Sequence, residues 1–229
     1  MVIAKPLADL VGTELREIGQ LSLVKAKFLC RQRGADGLAF LRVHQQIPII
    51  GSEYHQVASR AAQALQGIFE TNELRALKQL TEGGCTVVPR LLGYKFEQQD
   101  NTVIVPGGFK TFVLWEKVTG ESLELNQFWT YPFAERQEIR EIFKSCYQEL
   151  QVFNYAPGFP QMTNIIYDRS TKEMHIAGFN NAARLRGSRA WTDGIYVSMD
   201  LVRGPSGSFD RYFPIQATDL QHDKEGYRW

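Results

Sequence analysis

The sequence has few cysteines, and those it has are poorly placed for crosslinking or metal binding. Its 229 residues contain three cysteines, Cys30, Cys85 and Cys146, which lie far apart and form no C-x-x-C pair. An odd number of widely spaced cysteines favours neither a disulfide framework nor a zinc site. We therefore expect a reducing compartment and predict a cytoplasmic location.

Net charge and long apolar runs are also nearly absent. Lys and Arg total 26 and Asp and Glu total 25, so no global field draws the chain to nucleic acid or to an anionic membrane. The apolar runs at 103–105 and 112–115 fall far short of the about 20 residues that span a bilayer. The amino-terminal residues carry charges too early for a signal peptide. We predict neither a nucleic-acid nor a membrane partner.

Several catalytic motifs are missing as well. There is no G-x-G-x-x-G, so no phosphate-cradling loop can be assigned. The four histidines show no metal-ligand spacing, and no serine lies in a nucleophile elbow. His44 and His175 fall on predicted strands, where a structural role is the simpler interpretation. Three arginines near Trp191 form either a solvated loop or a basic patch for a phosphate or an acidic partner: Arg184, Arg186 and Arg189.

Apolar content is high, with 44% hydrophobic and 12% aromatic residues, which is enough for a substantial core in one domain or a two-lobed unit. A short helix is predicted over residues 10–18. The segment 21–44 predicts two or three strands joined by a turn at residues 34–37, and Arg42 lies on the strand that follows this turn.

A long helix is predicted from near Glu53 to the glycines at 83 and 84. In its later half, Glu73 shares a face with Ala76, Leu77 and Leu80, which places a carboxylate on an apolar stripe. A buried glutamate needs a cation, and Arg42 on the preceding strand is the natural candidate. Alternatively, Glu73 borders solvent and pairs locally with Arg75 or Lys78.

Further strands are predicted at 87–96, 102–105 and 110–115, the last two separated by Pro106-Gly107-Gly108. A well-formed amphipathic helix follows, with charged residues opposite its apolar stripe of Ile139, Ile142, Phe143, Cys146, Leu150 and Phe153. Cys146 lies on that stripe, so we predict a core residue there rather than a nucleophile.

The stretch from Asn164 to Phe179 predicts a β-hairpin. Residues 165–167 and 174–176 are apolar strands, and residues 168–172 form a polar turn between them. After the hairpin the periodicity fades, and we expect little helix from residue 191 onward.

In their order and spacing, these segments resemble a group of short fungal protein-kinase-like proteins over residues 20–181. The phrases AFLRVHQQIP, NELRALKQL and VPGGFKTFVLWEKVTG carry most of the resemblance. It implies an α+β, protein-kinase-like fold of two lobes. Residues 1–119 would form a small antiparallel-sheet N-lobe with one long helix. Residues 120–229 would form a truncated, mainly helical C-lobe, with the boundary at Gly120.

The resemblance also implies a degenerate nucleotide cleft. Arg42 and Glu73 match the family's lysine–glutamate pair, and LWEKVTGESL resembles its hinge. The predicted cleft residues are Arg42, Glu73, Glu116, Val118 and Asn164.

Three positions depart from the family pattern. Gly178 replaces the metal-binding aspartate of the DFG-type triplet, Phe159 replaces the catalytic aspartate, and Pro157 replaces the histidine of the catalytic loop. Phosphoryl transfer needs carboxylates that bind Mg²⁺ and a carboxylate that accepts the proton of the acceptor hydroxyl. These three positions supply none. We therefore assign no catalytic residue, no metal and no cofactor.

Three functions remain open. The first is a catalytically inactive kinase-like protein that binds or regulates, through an unknown protein partner or a small hydrophobic ligand in the inter-lobe cleft. The second is a kinase fold repurposed as an enzyme of small-molecule metabolism that does not use ATP. The third is residual ATP-dependent phosphotransfer.

Overall fold

The structure is a computed structural model that describes residues 2–6, 21–31, 37–185, 190–205 and 209–229; for residues 2–6 and Phe209 it describes the backbone only. The predicted helix at 10–18 and most of the predicted turn at 34–37 lie outside the described residues. So do Arg186 and Arg189 of the predicted basic patch.

The first part of the chain forms a five-stranded antiparallel sheet in the order β1-β2-β3-β5-β4. Its strands are β1 (Val2–Pro6), β2 (Ser22–Arg31), β3 (Leu38–Ile47), β4 (Leu91–Gln98) and β5 (Phe109–Glu116). Residues on β3 alternate between the two faces of the sheet. One face carries the apolar cluster of Cys30, Ala39 and Leu41, and Arg42 and His44 point to the other face.

The remaining elements are helices and short strands. The helices are α1 (Val57–Ala61), α2 (Asn72–Glu82), α3 (Leu125–Phe128), α4 (Phe133–Val152), α5 (Gly194–Ser198) and α6 (Phe209–Tyr212). The strands are β6 (Glu121–Ser122), β7 (Tyr155–Ala156), β8 (Ile165–Tyr167), β9 (Met174–Ile176) and β10 (Ala183–Arg184). Strands β6, β8 and β9 form one small sheet, and β7 and β10 form another.

The chain divides into two compact units. The sheet unit comprises Met1–Arg75 and Arg90–Lys117, and the helical unit comprises Ala76–Pro89 and Val118–Trp229. The predicted domains, residues 1–119 and 120–229, stay a prediction. Among the described residues, no helix has both the length and the apolar character needed to cross a membrane.

The α+β class is confirmed, and so are the hairpin and the long amphipathic helix. Ile165 pairs with Ile176 across the hairpin, and Asp168 closes its turn by accepting the Ser170 amide at 2.9 Å. Helix α4 spans 20 residues and buries Ile139, Phe143 and Leu150.

The prediction of one long helix from Glu53 is wrong, since α1 ends at Ala61 and α2 begins at Asn72. Near this break, glutamine side chains accept hydrogen bonds from main-chain amides, in place of the main-chain hydrogen bonds of a helix. Gln63 accepts the Ile49 amide at 2.9 Å, and Gln46 accepts the Leu65 amide at 3.0 Å. Gly67 then turns the chain with φ +94°.

The predicted strand at 102–105 is also wrong, because these residues form turns and bends. The Asp100 carboxylate accepts the Thr102 amide at 2.8 Å, and this local bond competes with strand pairing. A third correction concerns α4, where the charged residues are not all opposite the apolar stripe. Arg136 and Arg140 are fully buried.

Candidate functional site

A buried ion pair lies on the inner face of the sheet unit. The Arg42 Nη1 on β3 is 2.5 Å from Glu73 Oε1 on α2, as expected from the stripe of apolar residues around Glu73. The Glu73 side chain is 4% exposed and that of Arg42 is 14% exposed. Glu73 therefore pairs with the neighbouring strand rather than with Arg75 or Lys78.

His44 joins this pair, and the sequence reasoning missed it. Its Nε2 lies 3.5 Å from Glu73 Oε2, and the residue is 1% exposed. The strand alternation could have revealed it, since residues 42 and 44 must share a face. Burial lowers the pKa of His44, although the neighbouring Glu73 acts to raise it. Burial alone would raise the pKa of Glu73, but Arg42 and His44 hold it below its ordinary value.

Lys27 lies directly across from Arg42 on the neighbouring strand. Its Nζ is 3.8 Å from the centre of the Phe40 ring and 5.7 Å from that of Trp115. Burial, and then the positive charge of Arg42, lowers the pKa of Lys27 to about 8. On this face of the sheet, Lys27 and Arg42 therefore lie near the Glu73 carboxylate and two aromatic rings.

Glu116 and Val118 were predicted as hinge residues of the cleft. Glu116 ends β5, pairs with Ala39 on β3, and accepts the Arg90 amide at 2.8 Å. Val118 begins the second segment of the helical unit and is partly buried. Gly120 follows with φ +86°, and a Cβ there would lie 2.6 Å from the main chain of Tyr167. A glycine is therefore required where this segment meets β8.

In the helical unit, Asn164 contacts two of the three positions that depart from the kinase pattern, Phe159 and Gly178. Its Nδ2 donates a hydrogen bond to the Phe159 carbonyl at 2.7 Å. Its side chain also lies against Gly178, where an added Cβ would be 2.4 Å from Asn164 Oδ1. Asn164 is 6% exposed, and Phe159 is 59% exposed.

This arrangement supplies one amide and no carboxylate. Gly178 has φ +90°, in the left-handed region, so both backbone and space favour glycine there. Asp168 is tied into its own turn through Ser170, while Asp193 accepts the Trp191 indole N–H at 3.1 Å. In the described part of the chain, no three His, Cys, Asp or Glu side chains come together as a metal-binding group.

The predicted site residues thus fall into two sets. Arg42 and Glu73 are in contact within the sheet unit, and Glu116 lies on the adjoining strand β5. Val118 and Asn164 belong to the helical unit. Their assignment to a nucleotide cleft stays a prediction.

Comparisons with known proteins leave the family open. No protein-family model matches the chain, and no curated protein matches it. Among solved structures, it is similar to the kinase PK-1 of Cydia pomonella granulovirus, with 12% identity and a TM-score of 0.45 over 73% of this chain and 51% of that one. The chain spans about half the length of that viral kinase. The architecture described above, an antiparallel sheet followed by helices, agrees with a kinase-like fold.

Proposed function

We propose that this protein is a kinase-like protein that has lost phosphotransfer and acts as a binding or regulatory module. The observation that carries the proposal is the contact between Asn164 and Gly178. The asparagine side chain fills the space that any side chain at position 178 would need. The acidic group expected there by resemblance is absent, and a side chain at position 178 would require the Asn164 side chain to move.

The chemistry of phosphoryl transfer supports the proposal. The reaction depends on positioning and on neutralising charge, with Mg²⁺ held by acidic ligands and a carboxylate near the acceptor hydroxyl. Gly178 and Phe159 provide neither group, and one amide is a poor set of ligands for a hard cation. Asn164 is further engaged by the Phe159 carbonyl.

The sheet unit, in contrast, keeps features suited to binding. Arg42 is fixed by Glu73, and Lys27 lies beside it over an aromatic ring. In the helical unit, Phe159 exposes 59% of its surface, which suits contact with a protein partner or a small hydrophobic ligand. A cytoplasmic location belongs to the same proposal and is supported by three free cysteines.

Thermal unfolding with and without ATP and Mg²⁺ tests the proposal. A ligand that binds only the folded state raises the melting temperature, so we expect no increase with both present. Phosphate transfer should be equally low in the wild type and in Asn164→Ala. Turnover that Asn164→Ala abolishes would contradict the proposal, and a clear stabilisation by ATP with Mg²⁺ would count against loss of nucleotide binding.

A further inference from the structure

Helix α4 carries two fully buried arginines, Arg136 and Arg140, one turn apart. Residues four apart lie on the same face of a helix, so the two guanidinium groups are neighbours. Their charges repel, and the pKa of Arg140 is lowered to about 10 by burial and then by Arg136. Both groups are nevertheless cationic at neutral pH.

The protein satisfies these two cations only in part. Arg136 donates to the Tyr131 carbonyl at 3.2 Å, to the Trp229 main-chain oxygen at 3.3 Å and to Asp219 at 3.1 Å. Arg140 donates to the Leu201 carbonyl at 2.8 Å and to Gln137 Oε1 at 3.3 Å. Arg140 has no carboxylate partner among the described residues. The carboxylate that pairs with Arg136, that of Asp219, is 45% exposed.

Three buried N–H groups of the cluster lack an acceptor among the described residues: Arg136 Nε, Arg140 Nη2 and Trp129 Nε1. The residues that carry them are neighbours, since the Trp129 ring centre is 5.2 Å from Arg136 Cζ and 5.8 Å from Arg140 Cζ. Trp129 is 1% exposed. Buried donors are almost always paired, because an unpaired one loses its bond to water and gains nothing.

Aromatic rings surround Arg140 as well. The rings of Phe128, Phe133 and Trp229 have their centres 5.6, 6.0 and 5.6 Å from its Cζ. Ring faces attract a cation but accept hydrogen bonds poorly, and their attraction is weaker than the cost of burying an unpaired charge. The cluster therefore holds unpaired donors in an apolar surrounding, together with a cation, Arg140, that has no carboxylate partner among the described residues.

We propose that this cluster binds a small anion of halide size, which we call the α4 anion site. Arg140 Nη2, Arg136 Nε and Trp129 Nε1 are its donors. An open depression of about 430 Å³ lies beside the cluster and is lined by Phe133, Gln137, Gln221, His222, Asp223 and Trp229. Three of these lining residues, Phe133, Gln137 and Trp229, also contact Arg140. The site is separate from Asn164 and from the proposed loss of phosphotransfer.

Thermal unfolding of the whole chain in sodium chloride and in sodium gluconate, at constant ionic strength, tests the site. We expect a saturable rise in melting temperature with chloride and with bromide, and none with gluconate. Acetate and phosphate are included to identify a larger oxyanion. Stabilisation by either of them without a halide effect would overturn the assignment to a halide.

The variant Arg140→Met should abolish the chloride dependence, because it removes the main donor and its charge. Lys144→Met is the matched control: it removes a cation one turn further along α4, beside the Trp191 ring, and should keep the dependence. An equal chloride effect in wild type and Arg140→Met would overturn the proposal. So would a wild type that shows no halide effect, since water or the chain itself would then satisfy the donors.

If Arg140→Met does not fold, crystals of the wild type grown in bromide provide the decisive measurement. Anomalous scattering should show bromide within hydrogen-bonding distance of Trp129 Nε1 and Arg140 Nη2. The absence of a peak at this position would overturn the proposal.

Discussion

At the scale of single residues, Asn164 and Gly178 share one small volume. The asparagine amide reaches the Phe159 carbonyl, and its oxygen lies where a Cβ of residue 178 would stand. A buried polar side chain is held by such a bond, because breaking it would leave the amide without a partner. The contact therefore holds the residue before β8 against the chain that follows β9, at the open end of the hairpin.

We predict that Gly178→Ala destabilises the protein by about 2–4 kcal/mol, from a strained positive φ and a forced overlap. The matched control is Gly84→Ala. Gly84 has φ +76° but nothing within 4 Å of an added Cβ, so only the backbone strain of about 1 kcal/mol remains. Urea unfolding measures both values. Equal losses in the two variants would show that the Asn164 contact is unimportant.

His44 should make stability depend on pH below neutrality. Its pKa is lowered from the ordinary 6.5, mainly by burial, while Glu73 opposes and Arg42 and Lys25 reinforce the shift. The unfolded chain then binds the proton more tightly than the folded chain does. The contribution of neutral His44 to the free energy of unfolding is therefore complete above pH 6.5 and is lost as pH falls below it. His44→Gln should flatten the stability profile between pH 6.5 and 5. The control His55→Gln, at an exposed position, should leave the wild-type slope.

Glu73 should affect the stability of the protein at a lower pH than His44 does. Its pKa is held below the ordinary 4.5 by Arg42 and His44 in spite of its burial. Its stabilising contribution is therefore complete above pH 4.5 and is lost as pH falls through the folded-state value. At neutral pH, Glu73→Gln should cost about 3 kcal/mol because Arg42 loses its partner. The difference in free energy of unfolding between wild type and Glu73→Gln should narrow in acid. A difference that stays constant down to pH 3 would contradict this.

At the scale of elements, α4 begins without a capping side chain of its own. Pro132 precedes the helix and offers no side-chain hydrogen bond. Instead, the Asp219 carboxylate accepts the Phe133 amide at 2.6 Å and also pairs with Arg136. A residue 86 positions away in the sequence thus serves as the amino-terminal cap of the helix.

We predict that Asp219→Ala increases hydrogen exchange of the amides in the first turn of α4 and lowers the melting temperature. Asp219→Asn is the control, because its amide oxygen can still accept the Phe133 N–H. It should protect that turn better than alanine does. Exchange measured by mass spectrometry resolves the turn from the helix centre, where neither variant should change protection. Equal exchange in both variants would argue against capping.

The same scale shows which elements the sequence could predict. The sequence predicted α4 from an apolar stripe of 3.6-residue period and the hairpin from alternating apolar residues. Both could be predicted because burial of one face dictates each period. The break between α1 and α2 was missed, since it depends on Gln46 and Gln63 bonding to distant main-chain groups. Residues 102–105 look like a strand by propensity, but the Asp100 side chain turns them instead.

At the scale of the whole molecule, the fold raises the pKa of all three thiols, and it buries that of Cys30. Burial raises the pKa of Cys85 and of Cys146 to about 11, and Cys30 is 1% exposed with a raised pKa. Only the thiolate reacts rapidly, so folded protein should react slowly with an aromatic disulfide reagent at pH 7.5. The rate should rise as urea unfolds the protein. A thiol that reacts as fast in the folded state as in urea would contradict this, and Cys→Ala variants would identify it.

The α+β class was implied by the resemblance. The sequence by itself determined the α4 helix and the hairpin, and it favoured the pairing of Glu73 with a strand cation over a local pair. These follow from local periodicity and from the rule that a charge on an apolar stripe needs a counter-charge. Only the tertiary structure decided that His44 joins this pair, that Asn164 occupies the space beside Gly178, and that Arg136 and Arg140 are buried. Each of these depends on contacts between residues distant in the chain. No pattern of neighbouring residues encodes such contacts.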